Sequence, residues 1–269
     1  MPEYNIGFVG TGQMATALVT GFHYSAGVHS NNLTGYDISQ SSLSRFCVAA
    51  GGCKASSSNN EIVQNCDLVF LAVKPQIIPQ IVNDLVPLDP SVTFISVMGG
   101  VTIDWLKEHL KTDQVIRAMP NTPCLIGEGA TGISADPSVT EDTLQDVTKL
   151  FETVGSVFSL AERLIDVVTG LSGSGPAFVF QFIEALSDGA VHEGLPRDIA
   201  LKLAAQTVAG AGKMVLESGE HPAVLKDKVA SPAGTTIAGL KTLEDYGFRA
   251  AAINAVSAAT KRSIELGRN

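Results

Sequence analysis

Two patterns of apolar and polar positions divide this chain near residue 162. Before it, short apolar runs alternate with stretches of helical spacing. In "YNIGFVG" (4–10), Tyr4, Ile6 and Phe8 recur at every second position and then meet a glycine. The segments 32–37, 67–73, 93–100 and 114–119 are equally short, rich in β-branched or aromatic residues, and bounded by turn formers. Between them, 13–26, 41–50, 59–65, 76–85 and 102–110 carry apolar residues at helical intervals. Runs such as "DLVFLAV" are apolar on both faces, as strands of a parallel sheet covered on both sides must be. The alternation predicts an α/β domain with a doubly wound, Rossmann-type sheet.

After residue 162 no strand pattern competes. "PAFVFQFIEALSDGAVHEG" opens on Pro176 and closes on Gly194, the order in which helices start and stop, and 196–219 repeats it. The stretches 221–229, 235–247 and 248–267 keep helical spacing. These helices are Ala-rich and apolar around much of their circumference, more than a lone small bundle covers. The expectation is therefore two domains, 1–162 and 163–269, the second all-helical and buried against a partner subunit.

Composition sharpens this. Of 269 residues, 45% are hydrophobic and 17% charged, which adds weight to a covered subunit face. A net charge of −9 argues against an extended nucleic-acid surface, while leaving room for a local phosphate pocket. Cys47, Cys53, Cys66 and Cys124 show no C-x-x-C pairing and no histidine at ligand spacing, so reduced thiols and no metal are expected. No leader pattern opens the chain, and no unbroken apolar run reaches about 18 residues. The chain is expected to be cytoplasmic, with no membrane partner.

"GFVGTGQMATAL" sets Gly10, Gly12 and Ala15 in G-x-G-x-x-A spacing between the first strand and the first helix. Gly10 suits a tight turn, Gly12 admits a pyrophosphate close to the backbone, and Ala15 allows close helix–sheet packing. Helix-start N–H groups then bind the diphosphate. Asp37, 22 residues beyond Ala15, ends the second strand, where a carboxylate accepts from a ribose 2′-OH and repels a 2′-phosphate. Against that preference for NAD, "SQSSLSR" (39–45) offers hydroxyls and Arg45 to a phosphate, so NAD and NADP both stay open. "AVKP" (72–75) ends the strand "DLVFLAVKP", and the carboxyl ends of such strands border the cofactor crevice; Lys74 reaches a phosphate or lies in solvent.

In order along the chain, "GTGQMA" (10–15), "AVKP" (72–75), "RAMPNTP" (117–123), "LSGSGPAFVF" (171–180), "GEHPAVLKDKVASPAGTTI" (219–237) and "GFRAAAINAV" (247–256) resemble the Δ1-pyrroline-5-carboxylate reductase family. That resemblance implies NAD(P)H-dependent reduction of the cyclic imine pyrroline-5-carboxylate to L-proline. It also implies a Rossmann domain followed by a helical domain that intertwines two subunits, with assemblies of dimers that are often decamers. Cofactor contacts would fall on Val9, Gly10, Thr11, Gly12, Gln13 and Met14. Further contacts would come from Asn59, from Ala72, Val73, Lys74 and Pro75, and from Val97, Met98 and Gly99. Asp37 replaces a small polar residue often found in NADP-using relatives, and Ala233 stands where many relatives have glycine.

"VASPAGTTIAGL" (229–240) holds three hydroxyls and no titratable group. It suits a loop entering a helix near Thr235, whose free N–H groups, around Gly234 and with the Ser231 and Thr235 hydroxyls, bind a carboxylate without a cation. The resemblance adds Thr236 as hydrogen-bond partner of the ring nitrogen and Glu162 as an acidic residue near the substrate. A protonated imine is already electrophilic, so orientation against the nicotinamide is the main demand. Two other readings stand beside this one. β-Hydroxyacid dehydrogenases share the opening glycine motif but need a lysine on the helix after the central glycine-rich segment, and "PAFVFQFIEALSDGA" has none. A catalytically silent nucleotide sensor would leave the loop hydroxyls without purpose. The five histidines are scattered; His221 and Pro222 read as a helix start, and Lys226 to Lys228 as a solvated face, with Lys228 alternatively reaching cofactor in the partner.

Overall fold

The computed structural model describes residues 4–85 and 89–267. It divides into two compact units: residues up to Ser174 together with those from Ser257 on, and Gly175–Val256.

In the first unit, β1 (Ile6–Val9), α1 (Gln13–Tyr24), β2 (Leu33–Tyr36), α2 (Gln40–Ala49), β3 (Lys54–Ala55) and α3 (Asn59–Asn65) follow in turn. Next come β4 (Leu68–Leu71), α4 (Ile78–Ile81) with a 3-10 turn to Leu85, β5 (Thr93–Ser96), α5 (Ile103–Leu110) and β6 (Val115–Met119). A 3-10 turn Thr122–Ile126 leads to β7 (Gly129–Ala135), α6 (Glu141–Glu152) and β8 (Gly155–Ser159). A 3-10 turn Glu162–Leu164, α7 (Ile165–Val168) and a π-helical stretch Thr169–Gly173 complete it. The sheet order is β3-β2-β1-β4-β5-β6-β7-β8, parallel except where β7 runs antiparallel to β6. This is the doubly wound sheet expected from the alternation.

Strand periodicity builds a core on each face. Phe8, Leu68 and Phe70 point to one, with Phe22 and Phe151; Val9, Val69 and Leu71 point to the other, with Phe94 and Leu106. Phe8 faces Gly35 on β2 and Phe70 on β4, and its ring stacks on Phe70 with centroids 4.8 Å apart. Each such side chain, fully buried, contributes about 1.5–3 kcal/mol. Side-chain caps start several helices: Ser39, Ser58, Thr102 and Thr140 each accept a backbone N–H three residues on.

The expected elements appear, two of them with adjustments, and the structure adds others. The segment 76–85 is a short α-helix running into a 3-10 turn, and the strand expected over 93–100 stops at Ser96. Val97–Gly100 is instead a loop at the carboxyl end of β5, with Gly100 at φ +81°. The added elements include β3 and, within 127–160, β7, α6 and β8; β7 ("GATGISA") is mostly small residues and lacks the β-branched run that announces a strand.

The second unit contains α8 (Gly175–His192), α9 (Arg197–Ser218), α10 (Pro222–Val229), α11 (Thr235–Asp245) and the start of α12 (Phe248–Leu266). Phe182 meets Phe248 at a centroid distance of 5.5 Å. Arg197 pairs with Asp188 and reaches Ser187 Oγ at 3.3 Å, tying the α8–α9 turn. Much of the apolar surface stays uncovered in the single chain: Phe180 is 64% exposed and Leu216 81%. Among the described residues α9 alone is long and apolar enough by composition to cross a membrane, although Lys202 and Lys213 interrupt it.

Candidate active site

The nucleotide end of the site is built where β1 turns into α1. Gly10 has φ +87°, and a Cβ there would lie 2.8 Å from the Ala72 carbonyl oxygen, so only glycine serves. Gly12 caps α1, and a Cβ there would meet nothing within 4 Å. Its backbone thus faces open space at a helix N-terminus, the arrangement a diphosphate requires. The Thr11 hydroxyl is buried without a partner, a polar group left waiting beside that turn. A cavity of about 290 Å³ opens here, lined by Gly10, Gly12, Asp37, Asn59, Val73 and Lys74, with Ile38, Ile77 and Ile81 as an apolar rim. These residues fit the adenosine and phosphate end of a dinucleotide.

Asp37 does more than the sequence suggested. Thr11 N–H donates to its Oδ2 and Ser39 N–H to its Oδ1, both at 2.8 Å. The carboxylate therefore pins the glycine turn to the end of β2, and each oxygen keeps a lone pair for a ribose hydroxyl. Arg45 is exposed and donates to Ser42 Oγ at 3.3 Å. Gln13 is exposed and Met14 half-buried at the start of α1; Lys74 is exposed. Pro75 lines an adjoining cavity of about 400 Å³ together with Gly100 and Trp105. Val97 N–H donates to the Leu71 carbonyl at 3.1 Å, bringing the Val97–Met98–Gly99 loop beside Ala72, while the Met98 side chain is buried in the second core.

Glu162 has partners inside the first unit. Its Oε1 accepts the Ile103 N–H at 2.7 Å and Arg117 Nη1 at 3.3 Å. Arg117, only 1% exposed, also donates from Nη2 to Asp166 Oδ1 at 2.9 Å, an atom that accepts Ser263 Oγ–H at 2.8 Å. Of these residues only Glu162 is named as a candidate from the sequence; Arg117 enters there only as the first residue of "RAMPNTP". Buried, that charge requires the two carboxylates.

The loop 229–236 belongs to the second unit. Gly234 N–H donates to the Ser231 carbonyl at 3.1 Å, closing a turn, and Gly234 caps α11, which starts at Thr235. The Ser231 hydroxyl lies over Gly234, so a Cβ there would collide with it. Ala233 sits at φ +56°, the left-handed region that explains why glycine suits this position. Ser231 and Thr235 are exposed and Thr236 half-buried. Lys228 is engaged within its own chain, its ammonium donating to both Glu220 oxygens at 2.7 and 2.6 Å. His221 caps α10 by accepting the Ala223 N–H.

Cysteine chemistry is unsupported: burial raises the thiol pKa of Cys53, Cys66 and Cys124, the first two to about 12. Among the described residues, no group of three or more His, Cys, Asp or Glu gathers to hold a metal.

Comparison with known proteins adds two family matches. Residues 162–266 match the family described as pyrroline-5-carboxylate reductase dimerisation, and residues 5–100 match NADP oxidoreductase coenzyme F420-dependent. The chain is 43% identical to a pyrroline-5-carboxylate reductase of Arabidopsis thaliana over 99% of its own length and 97% of the relative's. It is 41% identical to the Escherichia coli enzyme of the same name, covering 99% of this chain and all of that one. The crystal structure of Plasmodium falciparum pyrroline carboxylate reductase with NADP bound superimposes with a TM-score of 0.90 at 35% identity, covering 99% of both chains.

Proposed function

This chain belongs to the pyrroline-5-carboxylate reductase family and reduces 1-pyrroline-5-carboxylate to L-proline with NADH or NADPH, and we propose that the neutral loop 231–236 holds the substrate. The observation that carries the proposal is the loop's composition and geometry: a closed turn, an α-helix N-terminus and hydroxyls, with no ionisable side chain from Val229 to Leu240. Ser231, Gly234 and Thr235 bind the ring carboxylate through hydroxyls and helix-start N–H groups. Thr236 hydrogen-bonds the ring nitrogen. Reduced nicotinamide, when bound, would supply a hydride to the imine carbon (C2 of the pyrroline ring, C5 of the product proline), and the electron pair of the C=N bond would end on the already protonated nitrogen. The protein's share is orientation, worth roughly 7–11 kcal/mol of barrier when the reacting atoms are held at near-attack distance. No side-chain acid is needed, which matches its absence from the loop.

Gly10, Gly12 and the Thr11 hydroxyl hold the diphosphate in this reading, and Asp37 takes the adenosine ribose, favouring NADH. Val9, Gln13, Met14, Asn59, the 72–75 turn and the 97–99 loop complete the cofactor site. Glu162 acts near the substrate through its hold on Arg117 and Ile103. The functional division falls at 162/163, close to the start of the matched dimerisation family. The apolar faces of the helical unit bury against a second copy, and decamers of such dimers are the assembly to look for. The net charge of −9 speaks against nucleic acid, the apolar α9 belongs to the subunit interface rather than a membrane, and free thiols, three of the four buried, suit the cytoplasm.

The test is loss of NAD(P)H absorbance with pyrroline-5-carboxylate, with a 3-hydroxyacid and oxidised cofactor as control. Thr236→Ala should lower kcat/KM about 10- to 100-fold, the value of one hydrogen bond to a charged group. Wild-type efficiency in that variant would remove Thr236 from the chemistry.

A further inference from the structure

The segment "RAMPNTP" (117–123) has no role in the cofactor or substrate contacts described above. In the structure it grips the end of the first unit. Asn121, 7% exposed, donates from Nδ2 to the Ser172 carbonyl at 3.0 Å, while its Oδ1 accepts the Ala130 N–H at 2.9 Å. Met119 lies against Gly173, where a Cβ would come within 2.7 Å of Met119 Cε. Arg117 holds Asp166 in the turn before.

What this segment grips is π-helical. Ser174 N–H donates to the Thr169 carbonyl at 2.9 Å, the wide i→i+5 closure. Such turns are rare, and they persist where their surroundings enforce them. Here the enforcing contacts come from β6 and the turn after it. On its other side the joint faces the cofactor loop: a Cβ at Gly99 would lie 3.8 Å from Thr169 Cγ2. Gly99 follows the carboxyl end of β5, where sheets of this type place a bound ligand. The joint is therefore one wall beside that loop, and Asn121 fixes where the wall stands.

We propose that Asn121 is a positioning residue for hydride transfer, holding the 169–173 joint in register with the 97–99 loop. It contacts neither substrate nor cofactor. The proposal rests on the reductase reading and assigns a residue that reading leaves without a task.

Asn121→Asp is the same size, keeps the acceptor for Ala130, and turns an oxygen toward the Ser172 carbonyl in place of a donor. Wild-type turnover of pyrroline-5-carboxylate is measured first; its absence would overturn the reductase reading and this proposal with it. Given turnover, the variant should lose about 100-fold in kcat, the scale of an ångström's misplacement. Its NADPH dissociation constant, from nucleotide fluorescence, should stay within about twofold. The deuterium isotope effect on kcat, with the transferred hydrogen of NADPH replaced, should rise. Loss of folded protein alone would lower activity with the isotope effect unchanged, and that result, or an unchanged kcat, overturns the proposal. If Asn121→Asp does not fold, Gly173→Ala reads the same joint: kcat falls, and Met119→Ala in the same chain restores it. Wild-type kcat in Gly173→Ala would equally overturn the idea.

Discussion

The sheet unit and the helical unit obey opposite rules of burial. In the sheet unit Phe8, Phe22, Phe46, Phe70, Phe94 and Phe151 are all 0% exposed. Between Gly175 and Val256 the buried residues are small, Ser187, Ala200 and Ala204, while Leu203 is 55% exposed and Ile253 65%. One unit closes its own core on both faces of its sheet. The other spends its large side chains on surface, and an apolar surface of that extent marks an association face. The difference teaches that stability of the first unit is a property of one chain, and that of the second a property of the assembly.

Substitutions can break that contrast, beginning with the strongest. Phe70→Ala should destabilise the sheet unit by about 3–5 kcal/mol, independent of protein concentration in chemical denaturation. Leu203→Asp should leave an isolated subunit almost untouched, within about 0.5 kcal/mol, because the site is exposed there. In the assembly, however, it places a charge in each copy of an apolar face. Sedimentation should show dissociation, a loss of about 2–4 kcal/mol per contact site, with cofactor binding retained. A Leu203→Asp protein that stayed oligomeric would move the interface elsewhere.

A smaller effect sharpens the cofactor side. Asp37→Ser removes the carboxylate proposed to take the ribose and should shift the ratio of kcat/KM for NADPH over NADH upward about tenfold, or ~1.4 kcal/mol. An unchanged ratio would leave Asp37 with its structural task alone, pinning the Thr11 and Ser39 amides. The smallest effect belongs to the loop before α11. Ala233→Gly relieves a left-handed alanine and should stabilise the chain by about 1 kcal/mol or less, with kcat unchanged. A fall in melting temperature would mean the Ala233 methyl makes a contact in the assembly that glycine loses.

Where the chain's chemistry is local, the sequence showed it. The G-x-G turn, the helix opening at Thr235 and the His221–Pro222 start each depend on residues within one turn, so spacing alone revealed them. The left-handed Ala233 was visible only as a departure from the family's glycine; its φ of +56° supplies the reason. β7 is not announced by its own residues because they are small and pair by backbone with β6 and β8, a signal carried by neighbours rather than by side chains; α6 does carry helical spacing and a Thr140 cap in the sequence.

Sequence by itself determined the alternating sheet, the apolar helices, the glycine turn after β1 and the neutral loop before α11, because each is written in contiguous residues and their period. Tertiary structure alone decided which distant groups meet. Asp37 reaches back 26 residues to Thr11, Arg117 forward 45 to Glu162 and 49 to Asp166, and Asn121 forward 51 to Ser172. A hydrogen bond across such a separation depends on where the sheet and its turns bring the two ends, and no local pattern of apolar and polar positions encodes that.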